Sequence, residues 1–107
     1  MAWTVVFLDA RVETEMQDQP GDIRARFERI KDLIELYGPA QLPPKWTKHV
    51  DDRLWELRMK GRDGIARAFY VTATGERVVI VRVFTKKTQK TPLREIKLAR
   101  QRAEEAS

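Results

Sequence analysis

The sequence predicts an α+β fold: an antiparallel β-sheet with helices from the N-terminal half on one face and a basic helix at the C-terminus. Three observations carry that prediction. Residues 54–59, 65–71 and 77–84 are strand-like runs separated by KGRDG and TATGE, and short Gly-containing spacers favour hairpins, hence a meander. Ile23, Phe27, Ile30, Ile34 and Tyr37 recur at steps of four and three, tracing one face of a helix. Beyond Thr91-Pro92, a helix is expected from Leu93 to about Ala103.

The remaining elements follow in order. Residues 3–8 (WTVVFL) are β-branched and aromatic and read as an opening strand. Asp9 is placed to cap a short helix through about Gln17, with Val12 and Met16 on one face, before Gln19-Pro20-Gly21 breaks the chain. Asp22 is the expected cap of the long helix, and Gly38-Pro39 its stop. The polar face of that helix (Arg24, Arg26, Glu28, Arg29, Lys31, Asp32) reads as solvated. Residues 42–52 are expected to be loop.

Alternation along the strands divides the sheet into two faces. Trp55, Leu57, Met59, Ala66, Ala68, Tyr70, Val79, Val81 and Val83 form an apolar set expected to pack on the long helix. The opposite set places Arg58, Arg67 and Arg82 on successive strands, together with Glu56, Phe69 and Phe84. A hairpin turning about Arg62-Asp63 sets Arg58 opposite Arg67, and a two-residue Thr74-Gly75 turn sets Arg67 opposite Arg82. Like charges so placed repel, and an anion between them removes the repulsion. Guanidinium grips phosphate oxygens with paired hydrogen bonds, and Phe69 and Phe84 on the same face are candidates for stacking on bases. A structural account stays open beside this one: Glu56 could pair with an arginine, an acidic partner could cover the row, or a register slip could scatter it.

At 107 residues the chain is long enough for one core and too short for two, so residues 1–107 are expected to be one domain. Lys+Arg 21 against Asp+Glu 16 leaves a formal net charge of +5, and its distribution matters more than its size. Arg82, Lys86, Lys87, Lys90, Arg94, Lys97, Arg100 and Arg102 crowd one stretch whose only acid is Glu95, the usual footprint of a polyanion partner. The absence of cysteine excludes disulfides, thiolate chemistry and zinc fingers. No apolar run approaches the roughly 20 residues of a membrane span, and residues 2–8 are too short for a signal peptide, so a cytoplasmic location without membrane contact is expected. His49, the only histidine, falls in the expected loop and reads as solvated.

Two stretches resemble the phage-derived branch of the HigB/RelE-type toxins. One is Leu54-Trp55-Glu56-Leu57-Arg58 with Arg67 in the next strand. The other is FTKKTQKTP (84–92) leading into Glu95-Ile96 and Ala99. The resemblance covers nearly the whole chain, and the FTKKTQKTP run is its specific part. It implies a RelE-like fold, a small twisted antiparallel sheet with a helical hairpin and helices on one side. It also implies the toxin of a type II toxin–antitoxin system: a ribosome-associated endoribonuclease that cuts messenger RNA and hetero-oligomerises with a cognate antitoxin, often one with a helix-turn-helix domain.

By motif position, the resemblance makes Arg58, Arg67, Lys86 and Lys87 the expected catalytic residues. Arg82, Phe84, Lys90 and Arg94 are the expected RNA contacts. No metal or cofactor is called for. Lys86 or Lys87 would take the proton of a ribose 2′-OH if crowding by cations lowers its pKa, while Arg58 and Arg67 neutralise charge growing on the phosphate. Many members carry a tyrosine or histidine where this chain has Thr91-Pro92-Leu93, so the general acid is unassigned. Lys87→Ala and Arg67→Ala are expected to relieve growth arrest with the fold intact. Two other classes compete: a non-catalytic nucleic-acid-binding module using the same face, and a phage or plasmid interaction protein whose basic face meets an acidic partner.

Overall fold

The computed structural model describes residues 2–86 and 90–106, with only the backbone described for Lys86. The order is β1 (Thr4–Phe7), α1 (Ala10–Gln17), α2 (Gly21–Tyr37), β2 (Thr47–Asp51), β3 (Leu54–Gly61), β4 (Gly64–Ala73), β5 (Arg77–Lys86) and α3 (Leu93–Ala103). Among the described residues the strands form one sheet in the order β1-β5-β4-β3-β2. The meander is antiparallel as expected, whereas β1 runs parallel to β5, so the sheet is mixed.

Local chemistry explains most of the elements. Asp9 caps α1 by accepting hydrogen bonds from the Arg11 and Val12 N–H groups, and Val12 and Met16 are buried. The buried stripe Ile23, Phe27, Ile30, Ile34 seats α2 on the sheet, but Tyr37, expected on that stripe, is 65% exposed one turn later. Pro20, rather than Asp22, stands at the α2 N-cap. Asp22 sits in the first turn, where its carboxylate accepts from the Arg62 N–H at 2.6 Å and ties the β3–β4 hairpin to the helix. Gly61 permits this approach, since a Cβ there would lie 2.6 Å from Ile23 Cδ1.

The segment expected to be loop contains β2, which pairs with β3 through Thr47↔Leu57, Lys48↔Glu56 and His49↔Trp55. Its short, half-polar TKHVD run belongs to a sheet edge with one partner, where hydrophobic alternation is weakly demanded.

The largest correction concerns β5. Phe69 pairs with Arg82 and Tyr70 with Ile80, leaving Val81 as an extra residue in a bulge. The bulge reverses the alternation before it: Val78 and Ile80 join the core beneath α2, while Val79 and Val81 face the other side. The turn also differs, since Ala73 pairs with Arg77 across Thr74, Gly75 and Glu76. Together the longer turn and the bulge put Phe84, not Arg82, opposite Arg67, whereas the expected Arg58↔Arg67 register is present.

The helices are not confined to one side. The α1–α2 hairpin and its core of Leu57, Met59, Ala66, Ala68, Tyr70, Val78 and Ile80 fill one face. On the other, Ala99 and Ala103 of α3 pack with Leu54, Phe69, Val71, Val79, Val81 and Phe84 into a second core. Small alanines on the buried side of α3 let the helix lie close to the aromatic rings.

A candidate arginine site at the end of the sheet

On the α3 side, one row across β3, β4 and β5 is Glu56–Phe69–Arg82, and the next is Arg58–Arg67–Phe84. A third, at the hairpin end, aligns Lys60, Ile65 and the backbone position of Lys86. Of these cations, Lys60 and Arg58 are exposed, Arg58 with 42% of its side chain open to solvent.

Arg67 is 2% exposed and faces Glu56, itself 1% exposed. Arg67 Nη1 lies 3.5 Å from Glu56 Oε1 and Arg58 Nε 3.7 Å from the same oxygen, so one carboxylate oxygen serves two guanidiniums. The Arg67 contact is an ion pair without hydrogen-bond alignment: its Nε and Nη1 are buried with no hydrogen-bond acceptor. The second oxygen, Oε2, accepts a hydrogen bond from the Thr91 hydroxyl at 2.7 Å. Burial is the main cause pulling the Arg67 guanidinium below its ordinary pKa; Glu56 opposes that fall and the Arg58 charge adds to it. Two adjacent cations with one shared, loosely held counter-charge form a site that an oxyanion would complete.

The other expected arginine is engaged internally. Arg82 Nη1 lies 2.8 Å from Glu15 Oε2 of α1, and its Nε donates to Glu95 Oε1 of α3 at 2.7 Å. The hydrogen bond it donates to Glu95 is the main reason its pKa is raised. Arg102 Nη1 donates to the same Glu15 carboxylate and to the Val81 carbonyl, where the bulge opens the β5 backbone. Glu15 also accepts the Val83 N–H at 3.0 Å, beyond the end of β1. Arg100 pairs with Asp51. These three arginines of the basic stretch thus fasten α3 and α1 to the sheet.

Phe84 and Phe69 correct the base-stacking expectation: they are 7% and 0% exposed and stack on each other with centroids 5.5 Å apart inside the second core. Lys90 and Arg94 are exposed at the entry to α3. Lys87 and the side chain of Lys86 lie outside the described residues. His49 is exposed, its Nε2 2.6 Å from the Asp52 carbonyl oxygen, and its ring tilts against Trp55 at 5.1 Å. Among the described residues, no helix is long and apolar enough to cross a membrane.

Sequence reasoning brought Arg58 and Arg67 together and missed the parts played by Glu15 and Thr91. Glu56, two residues before Arg58 on the same face, was the legible sign that the row is partly neutralised from within. Nothing near Glu15 in sequence marks it as a partner of β5 and α3.

Residues 14–104 match the protein family described as "Phage derived protein Gp49-like (DUF891)". No curated protein sequence matches the chain. Among solved structures, the chain is similar to a mutant of the E. coli toxin RelE in the free state, at a TM-score of 0.65 and 14% identity over 95% of this chain and 98% of that one. It is also similar to a chain of the archaeal RelE–RelB complex from Pyrococcus horikoshii, at a TM-score of 0.57 and 20% identity over 81% of this chain and 98% of that one. The fold is that of the RelE toxins.

Proposed function

Since the chain belongs to the phage-derived Gp49-like family and has the RelE fold, we propose that it is the toxin of a type II toxin–antitoxin pair and cuts messenger RNA on the ribosome. The observation that carries this reading is the Arg58↔Arg67 pair, opposed across β3 and β4 and sharing a single carboxylate. A scissile phosphodiester supplies the counter-charge these groups lack. The FTKKTQKTP run is what favours the HigB branch in particular.

In the proposed reaction Lys86 or Lys87, in its neutral form, takes the proton of the ribose 2′-OH. The 2′-oxygen attacks the adjacent phosphorus and the bond to the 5′-oxygen breaks. One product ends in a 2′,3′-cyclic phosphate, and the leaving 5′-oxygen takes a proton to become a hydroxyl. Arg58 and Arg67 balance the charge that grows on the non-bridging oxygens. Lys90 and Arg94 hold flanking RNA. Arg82 and Phe84 fasten α3 and are not RNA contacts in this proposal.

The partner is an antitoxin that holds the chain in a hetero-oligomer, in keeping with the complex formed by the archaeal relative. An antitoxin with a helix-turn-helix domain is the form the sequence resemblance favours.

Expression of the chain alone, with transcript ends mapped genome-wide, tests the reading. Wild type is expected to arrest growth and cut inside translated reading frames. Arg58→Ala, at an exposed position, is expected to fold and leave transcripts whole. Normal growth with uncut messages under wild-type expression would contradict the proposal. Cutting that persists in Arg58→Ala would remove that residue from the site.

A further inference from the structure

The hydrogen bond from Thr91 to Glu56 does more than anchor the start of α3. Carboxylates facing guanidiniums commonly form bidentate pairs, with two N–H groups meeting two oxygens. Here the Thr91 hydroxyl donates to Oε2 at 2.7 Å, and the closest approaches to Arg67, at 3.5 Å, and to Arg58, at 3.7 Å, are both made by Oε1. Arg67 retains two buried donors without an acceptor. That is costly in a folded interior, and it leaves the Arg67 charge loosely compensated beside the exposed Arg58, where an anion would offset it.

We propose that Thr91 is a positioning residue that keeps Glu56 from closing a bidentate ion pair with either arginine, so that the exposed Arg58 guanidinium stays available to a phosphodiester and the buried Arg67 charge behind it stays uncommitted. This rests on the reading that the arginine pair meets RNA phosphate. In this scheme Thr91 acts through Glu56. Its removal frees Oε2 to turn towards Arg67, satisfying the orphaned donors at the expense of the ligand.

The test compares wild type, Thr91→Ser and Thr91→Val in binding a single-stranded oligonucleotide whose ribose 2′-hydroxyls are all absent, so that it cannot be cut by 2′-OH attack. Thermal unfolding and the Arg67 Nε–H NMR resonance are followed alongside. Thr91→Val should bind about tenfold more weakly, the loss of one charge-assisted hydrogen bond to the ligand. It should unfold at the same or a higher temperature, and the Arg67 Nε–H resonance should move towards that of a carboxylate-bonded group. Thr91→Ser, which keeps the hydroxyl, should match wild type in all three.

A purely structural tether gives the opposite pattern: Thr91→Val unfolds earlier, binds as wild type, and overturns the proposal. No change in any measurement also overturns it. If wild type does not bind the oligonucleotide while the Arg67 resonance still moves in Thr91→Val, the phosphodiester reading falls and the control of Glu56 by Thr91 stands.

Discussion

Arg58 and Arg67 are neighbours in register, yet replacing them should have very different consequences. Arg67→Ala leaves the Glu56 carboxylate buried with its main counter-charge gone, and breaking a buried pair from one side costs about 3–5 kcal/mol. Arg58 is partly exposed and its ion pair is long, so Arg58→Ala should cost no more than about 1 kcal/mol. Denaturant unfolding of the two variants checks this, and equal losses would show that Arg67 is not an internal strut. Contrary to the expectation of an intact fold, Arg67→Ala should therefore destabilise the protein as well as relieve toxicity. Tyr70 gives a second residue-scale prediction. Burial pushes its hydroxyl up from the ordinary 10.0 to about 12, so between those values the folded state holds a proton that the unfolded state has lost. Stability should be level below the lower value and fall as pH rises towards the upper one, by roughly 2–3 kcal/mol in all. Tyr70→Phe should flatten that decline in alkaline unfolding curves; an unchanged slope would rule Tyr70 out as its source.

At the scale of elements, the hairpin that carries Arg58 and Arg67 is held by contacts remote from either charge. The Asp22 carboxylate takes the Arg62 N–H, and Gly61 lies against Ile23 and Asp22. Gly61→Ala would force a shift in a packed contact and should destabilise by about 1–3 kcal/mol, measurable as a lower unfolding midpoint. A variant as stable as wild type would show that the hairpin and α2 are less tightly joined. The Asp22 carboxyl is held below the usual carboxylate range, chiefly by the Arg62 N–H, so this tie strengthens above the ordinary carboxyl pKa and weakens as pH falls through the lowered one. Elements whose signal is local were legible: the Asp9 cap, the Ile23–Phe27–Ile30–Ile34 stripe and the Arg62-Asp63 hairpin. What failed depended on partners distant in sequence. The Val81 bulge leaves no mark on the VVIVRVF run, because valines suit either face. The edge strand β2 is short and half-polar, and the site of α3 packing became visible only once the bulge had turned Val79 and Val81 towards it.

For the whole molecule, charge counted along the sequence was a poor guide to where cations stand on the surface. The basic stretch from Arg82 to Arg102 suggested one continuous phosphate-binding surface. Instead Glu15, Glu95 and Asp51 engage its arginines at positions 82, 100 and 102, leaving exposed cations near the hairpin end and the start of α3. Glu15 lies far away in the sequence, so no local count of charge could show that neutralisation. The two arginines legible from register and resemblance are those the structure sets side by side, and they carry the proposal of RNA cleavage by 2′-OH attack. The chemical ends of the RNA test that proposal most directly. Purified chain acting on translating ribosomes should leave an upstream fragment ending in a 2′,3′-cyclic phosphate and a downstream fragment beginning with a 5′-hydroxyl. Fragments ending in a 3′-hydroxyl and beginning with a 5′-phosphate, or messages left whole, would contradict it.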